Sequence, residues 1–230
     1  MSVRRLASQR HKYEQIAAAL RAQYGTPTWL HRYPPVDELV DCILSQSTND
    51  ANRDRAFALL RAKFPTWEEV RDAPTQAVID AIRPAGLANQ KGPRIQNALR
   101  TITAQRGSIT LDFLNEMEVG EAKAWLTAID GVGPKTAAIV LCFAFNKPAF
   151  PVDTHIHRVS QRLGLISEKT SADKAHAEME AIIPPKDYYP GHLNLIRLGR
   201  EICQARRPWC ERCPLTTWCD YYQKTKGKQS

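Results

Sequence analysis

Three sets of residues in this 230-residue chain have the types and spacing for chemistry. Lys135 follows the turn Gly131-Val132-Gly133-Pro134, at about the second position of a helical run through Ala137, Ala138, Val140 and Leu141. At that place the helix dipole and partial burial both disfavour an ammonium, and a neutral amine is a nucleophile. The same turn suits a phosphate, because glycines let the backbone approach a ligand and the amides that open a helix point outward. Asp153 stands just before Ile156, Val159 and Leu163, which repeat at helical spacing, so it is expected to cap a helix. A carboxylate that accepts backbone amides stays ionised and serves better as an anion facing developing positive charge than as a proton donor. Cys203, Cys210, Cys213 and Cys219 read C-x6-C-x2-C-x5-C within 17 residues. Without a secretory signal, four thiolates so spaced point to a metal centre rather than disulfides, and zinc or an iron-sulfur cluster would each suit them. His155 and His157, two apart on one helix, point away from each other and are not a metal pair.

The elements that must position these residues read as helices throughout. A hydrophobic content of 43% suffices for a packed core, and a net charge of +8 with a pI near 9.3 favours a polyanionic partner. No run of about 18 apolar residues exists to cross a bilayer, so a soluble, membrane-free protein is expected. The arginine-rich start reads as an ordinary helix through Ile16, Ala17, Leu20 and Tyr24, ending at Gly25. After the proline-rich passage TPTWLHRYPP, a first domain boundary, Val36, Leu39, Val40, Ile43 and Leu44 form the core face of a helix that ends in the polar stretch SQSTND. The next helix, about Asn52 to Phe64, is expected to turn Phe57, Leu59 and Leu60 inward and Arg53, Arg55 and Arg61 outward. A glycine turn at Gly86-Leu87 precedes a long helix whose Lys91 and Arg94 are candidate phosphate contacts. Cys42 and Cys142 fall in apolar helices and belong to the core, and the last residues, KTKGKQS, read as a frayed basic tail.

GVGPKTA, the aspartate 18 residues after its lysine in PVDTHIHR, and the four-cysteine loop with its flanking Pro208 and Pro214 together resemble the endonuclease III branch of the helix-hairpin-helix DNA glycosylases. The resemblance covers nearly the whole chain. It implies an all-α fold of two helical domains with the active site in the cleft between them. One is a six-helix domain over residues 26–147, its hairpin at about 126–145, and the other is a cluster domain of 1–25 and 148–230. It implies a 4Fe-4S cluster in the loop 203–219, held by the four cysteines. It further implies a base-excision glycosylase with abasic-site lyase activity on a damaged, oxidised pyrimidine. Lys135 is then the residue that attacks C1′, and Asp153 the one that assists departure of the base. The DNA contacts implied are Gly131, Gly133, Gln46, Ser47, Lys91, Arg206, Arg207 and His155, with Leu87 as the wedge that fills the gap left by an extruded base. Ser47 aligns where the best-known members carry a longer glutamine. The expected partner is double-stranded DNA containing a damaged base or abasic site, bound by a monomer in the cytoplasm, at the nucleoid in a bacterium. PVDT in place of AVDT, and the longer segment between Gly107 and the hairpin, also resemble plant 5-methylcytosine glycosylases. A mismatch or 5-methylcytosine glycosylase, and a non-catalytic DNA-binding module with a redox-sensitive cluster, are therefore the competing readings.

Overall fold

The computed structural model describes residues 3–226, and among these the chain is helical with no strand. It separates into two compact units, one of residues 1–30 with 148–230 and one of residues 31–147. The first helix, α1 (Val3–Tyr24), buries Tyr13, Ile16, Ala17 and Leu20, a stripe of spacing 3, 1 and 3, and stops at Gly25 in left-handed backbone.

Residues 31–147 begin with α2 (Pro35–Ser45), opened by a proline at its first position, with Val36, Leu39, Val40, Ile43 and Leu44 all buried. Next come α3 (Asp50–Lys63), α4 (Trp67–Asp72) and α5 (Thr75–Ala81). Asn49 caps α3 by accepting from the Asn52 amide at 2.8 Å, and Thr66 caps α4 by accepting from Glu69. The inward face of α3 differs from expectation. Ala56 and Leu60 are buried, whereas Leu59 is 43% exposed. Arg53 turns inward instead of outward, because two carboxylates of α2, Glu38 and Asp41, are buried beside it, and its Nε lies 3.2 Å from Asp41. Then α6 (Ala88–Arg106) runs to Gly107, and α7 (Val119–Thr127) leads to α8 (Pro134–Ile139), which widens into a π-turn over Val140–Ala144.

The other unit continues from Pro148 with α9 (Thr154–Arg162), α10 (Ala172–Ile182) and α11 (Tyr188–Glu201). Its core includes Phe150, whose ring meets Tyr188 and His192 edge-on. Close packing of α9 on α11 depends on Gly199, where a Cβ would lie 2.9 Å from the Cβ of His155 and 3.3 Å from a methyl of Val159. After the cysteine loop, α12 (Asp220–Lys226) corrects the reading of a frayed tail. Lys224 pairs with Glu168 at 2.8 Å and Thr225 donates to the Tyr221 carbonyl, while residues 227–230 of that tail lie outside the described residues. No described helix is long and apolar enough to cross a membrane.

Candidate active site

Between α7 and α8 the chain makes the expected hairpin. Ile129 and Val132 are buried and anchor it, and the Val132 amide donates to the Ile129 carbonyl at 3.0 Å. Gly131 has φ +81°, and a Cβ there would sit 3.0 Å from Cδ of Arg94, whose stem passes beneath the turn. Backbone conformation and packing thus both require glycine. At Gly133 no atom lies within 4 Å of where a Cβ would be, so this part of the turn is open to a ligand. Gly133 is the N-cap, Pro134 the first helical residue and half-buried Lys135 the second. The amides of Lys135 and Thr136 come before the first helical hydrogen bond, from Ala137 to the Gly133 carbonyl, and have no acceptor within the helix.

Asp153 caps α9 as its position in sequence predicts, accepting from the Ile156 amide at 2.7 Å. His155 and His157 turn to different neighbours: His155 Nδ1 lies 3.1 Å from an Arg158 nitrogen, and His157 Nε2 lies 2.8 Å from the Thr170 carbonyl oxygen. His155 is thereby tied into the contact of α9 with α11.

Two arginines one turn apart on α9 hold the cysteine loop. Arg158 donates to the carbonyls of Cys203 and Gly199, and Arg162 donates to those of Gln204 and Ala205, with its Nη1 3.3 Å from Cys203 Sγ. Neither arginine stands out in the sequence reading, although their spacing of four on a helix capped by Asp153 is a visible sign. The four cysteines are all unbridged and half-buried, and they line one cavity together with Ile202, Pro208, Tyr221 and Tyr222. Burial, with repulsion from the other three sulfurs, pushes the Cys213 thiol up to about 11. Among the described residues no group of three His, Cys, Asp or Glu is arranged to hold a metal ion. Donor type and shared cavity fit a thiolate-bound centre. Arg206 and Arg207 are exposed on the loop, as expected, and Trp209 beside them is 52% exposed.

Two further turns carry candidate contacts, and both put a side chain other than glycine in left-handed backbone: Ser47 at φ +52° and Leu87 at φ +50°. Ser47 is exposed, Gln46 is half-buried with its Oε1 3.4 Å from Arg94 Nη1, and Leu87 is 49% exposed at the start of α6.

Residues 40–185 match the HhH-GPD superfamily of base excision DNA repair proteins. The chain belongs to this superfamily. Endonuclease III of Thermotoga maritima is 34% identical over 194 residues, covering 84% of this chain and 86% of that one. Endonuclease III of Sulfolobus acidocaldarius is 35% identical over 182 residues, covering 78% and 79%. A trapped covalent intermediate of endonuclease III with DNA superposes with a TM-score of 0.80 at 28% identity, over 94% of this chain and 98% of that one.

One residue expected among the DNA contacts of this HhH-GPD chain is not at the surface. Lys91 is 1% exposed, and its ammonium donates to the carbonyls of Leu44 at 2.7 Å and Ala85 at 2.8 Å. Charge alone cannot tell a solvated lysine from one drawn into converging carbonyls, and Lys91, being buried, is not placed to meet a phosphate. Glu38 and Asp41, which nothing in the sequence marks as buried, lie in the interior. Burial, and then the neighbouring Asp41, pushes Glu38 up to about 7, and its Oε2 has no hydrogen-bond partner. Cys42 and Cys142 are buried as expected, and burial pushes the Cys142 thiol up to about 12, which makes it inert.

Proposed function

We propose that this chain removes damaged bases from double-stranded DNA as a bifunctional glycosylase and abasic-site lyase, with an oxidised pyrimidine as the substrate class. The observation that carries the reading is the hairpin itself: an open glycine turn, then Lys135 at the second position of a helix whose first amides are free. The nucleotide is extruded from the stack, and Leu87, apolar and exposed at a turn, enters the gap it leaves. Gln46 and Ser47 line the pocket for the base. Gly131 and Gly133 let the hairpin backbone approach the strand, while Arg206, Arg207 and His155 meet phosphates.

The lone pair of the Lys135 amine attacks C1′, the glycosidic bond breaks, and its electron pair leaves with the base. The Asp153 carboxylate, held in place by the amide it caps, stabilises the positive charge that develops on the sugar. The sugar ring opens to a Schiff base with Lys135, and β-elimination then breaks the carbon-oxygen bond 3′ to the lesion. That the similar endonuclease III has been trapped as a covalent intermediate with DNA supports this route.

Cys203, Cys210, Cys213 and Cys219 would hold a 4Fe-4S cluster, for which four thiolates are the ligand set. With every iron coordinated, such a group supplies no Lewis acid, and its service is to fix the loop that presents Arg206 and Arg207. Replacing Lys135→Gln tests the central step. The variant should fold, yet lose borohydride-trapped complex and strand nicking by ~10³-fold or more, and normal trapping would remove Lys135 from its role.

A further inference from the structure

Lys91 is buried without a carboxylate among its hydrogen-bond acceptors. It reaches two carbonyls at the ends of helical segments: Leu44, next to last in α2, and Ala85, last in the short 3-10 turn Arg83–Ala85. Carbonyls at such ends have no intrahelical donor and carry the negative end of the dipole, so an ammonium is well matched to both at once. Burial pushes Lys91 down to about 8. Three residues past the first acceptor stands Ser47, and two past the second stands Leu87, each held in left-handed backbone. Arg94, next along the same face of α6, reaches Gln46 and runs beneath Gly131.

We infer that Lys91 is a positioning residue: by tying the end of α2 to the turn before α6, it makes the base-pocket segment around Ser47 and the wedge at Leu87 move as one piece. The inference rests on the proposed roles of Ser47 and Leu87. Under it, the lysine sets the separation between the residue that enters the duplex and those that receive the extruded base.

A double-mutant cycle on the full chain decides. Single-turnover excision of an oxidised pyrimidine at saturating enzyme is measured for Leu87→Ala, Lys91→Met and the pair. Each single change should slow excision ~10-fold or more, the pair should be at most about twofold slower than the worse single, and DNA affinity should barely change. Both losses should shrink when the damaged base lies in an unpaired bulge, where a merely structural defect would persist. Losses that multiply, or a Lys91→Met loss undiminished on the bulged substrate, overturn the inference. An inactive Leu87→Ala with normal Lys91→Met also overturns it, as would a normal rate for both. A Leu87→Ala variant of unaltered rate alongside a slow Lys91→Met refutes the wedge reading separately and removes the coupling with it. Should Lys91→Met fail to fold, hydrogen exchange on the unaltered protein answers instead: amides 46–48 and 86–88 should open together, and independent opening would refute the tie.

Discussion

In residues 31–147 several buried polar groups are met by the chain's own groups, Glu38 Oε2 excepted: Lys91 finds two carbonyls, Gln96 donates to those of Val70 and Ala73, and Arg53 meets Asp41. In the unit of 1–30 and 148–230 the cysteine loop is held by Arg158 and Arg162, yet its four cysteines line one cavity in which burial and the other sulfurs push the Cys213 thiol up to about 11. The first unit is supported by hydrogen bonds that form on folding; the second carries four cysteines that are proposed to hold a bound centre. The difference teaches that Lys135 and Asp153 stand on supports with different sensitivities, although both are proposed to act on one sugar.

The largest effect that sharpens this contrast is expected at Asp153. Asparagine caps a helix as well as aspartate, so Asp153→Asn should keep α9 folded and bind DNA while excision falls ~10²–10³-fold. An unchanged excision rate would contradict the assigned role. Next is the loop. Cys213→Ser should abolish visible iron-sulfur absorbance and raise hydrogen exchange in residues 154–222, leaving residues 31–147 as protected as before. Equal deprotection of both units would break the contrast. Smallest is Glu38→Gln. The folded-state value of Glu38, about 7, lies above its ordinary 4.5, so its stabilising contribution is complete below 4.5 and is lost as pH rises through 7. Urea melts should therefore show the glutamine variant gaining on the unaltered protein from pH 5 to pH 8, by about 1–3 kcal/mol. A gap that shrinks over that range would mean Glu38 is paired after all.

What was legible in the sequence was local. The buried face of α2 follows from its spacing, the Asp153 cap from one carboxylate before an apolar stripe, and the hairpin from two glycines and a proline. Longer-range pairings were not. Lys91 was read as a surface charge because its two acceptors lie 47 and 6 residues away in sequence, and main-chain carbonyls leave no trace in residue types. Arg53 and Leu59 depart from expectation for another reason, the packing of α3 on α2. The buried Asp41 of α2 draws the arginine in, and α3 turns Leu59 outward with Ala56 and Leu60 on its packed face. The Gly86 turn was visible, but not that the unusual backbone persists one residue further, onto a leucine.

That leucine sets evolution a conflict. At φ +50° Leu87 is in a conformation glycine adopts more cheaply, and with half its surface wet it returns little by packing. A laboratory screen for heat tolerance alone would be expected to favour glycine or asparagine there by roughly 1 kcal/mol. Under the wedge role proposed for Leu87, hardier variants from such a screen would be poorer at opening DNA, and an awkward hydrophobe there would mark where durability has yielded to work.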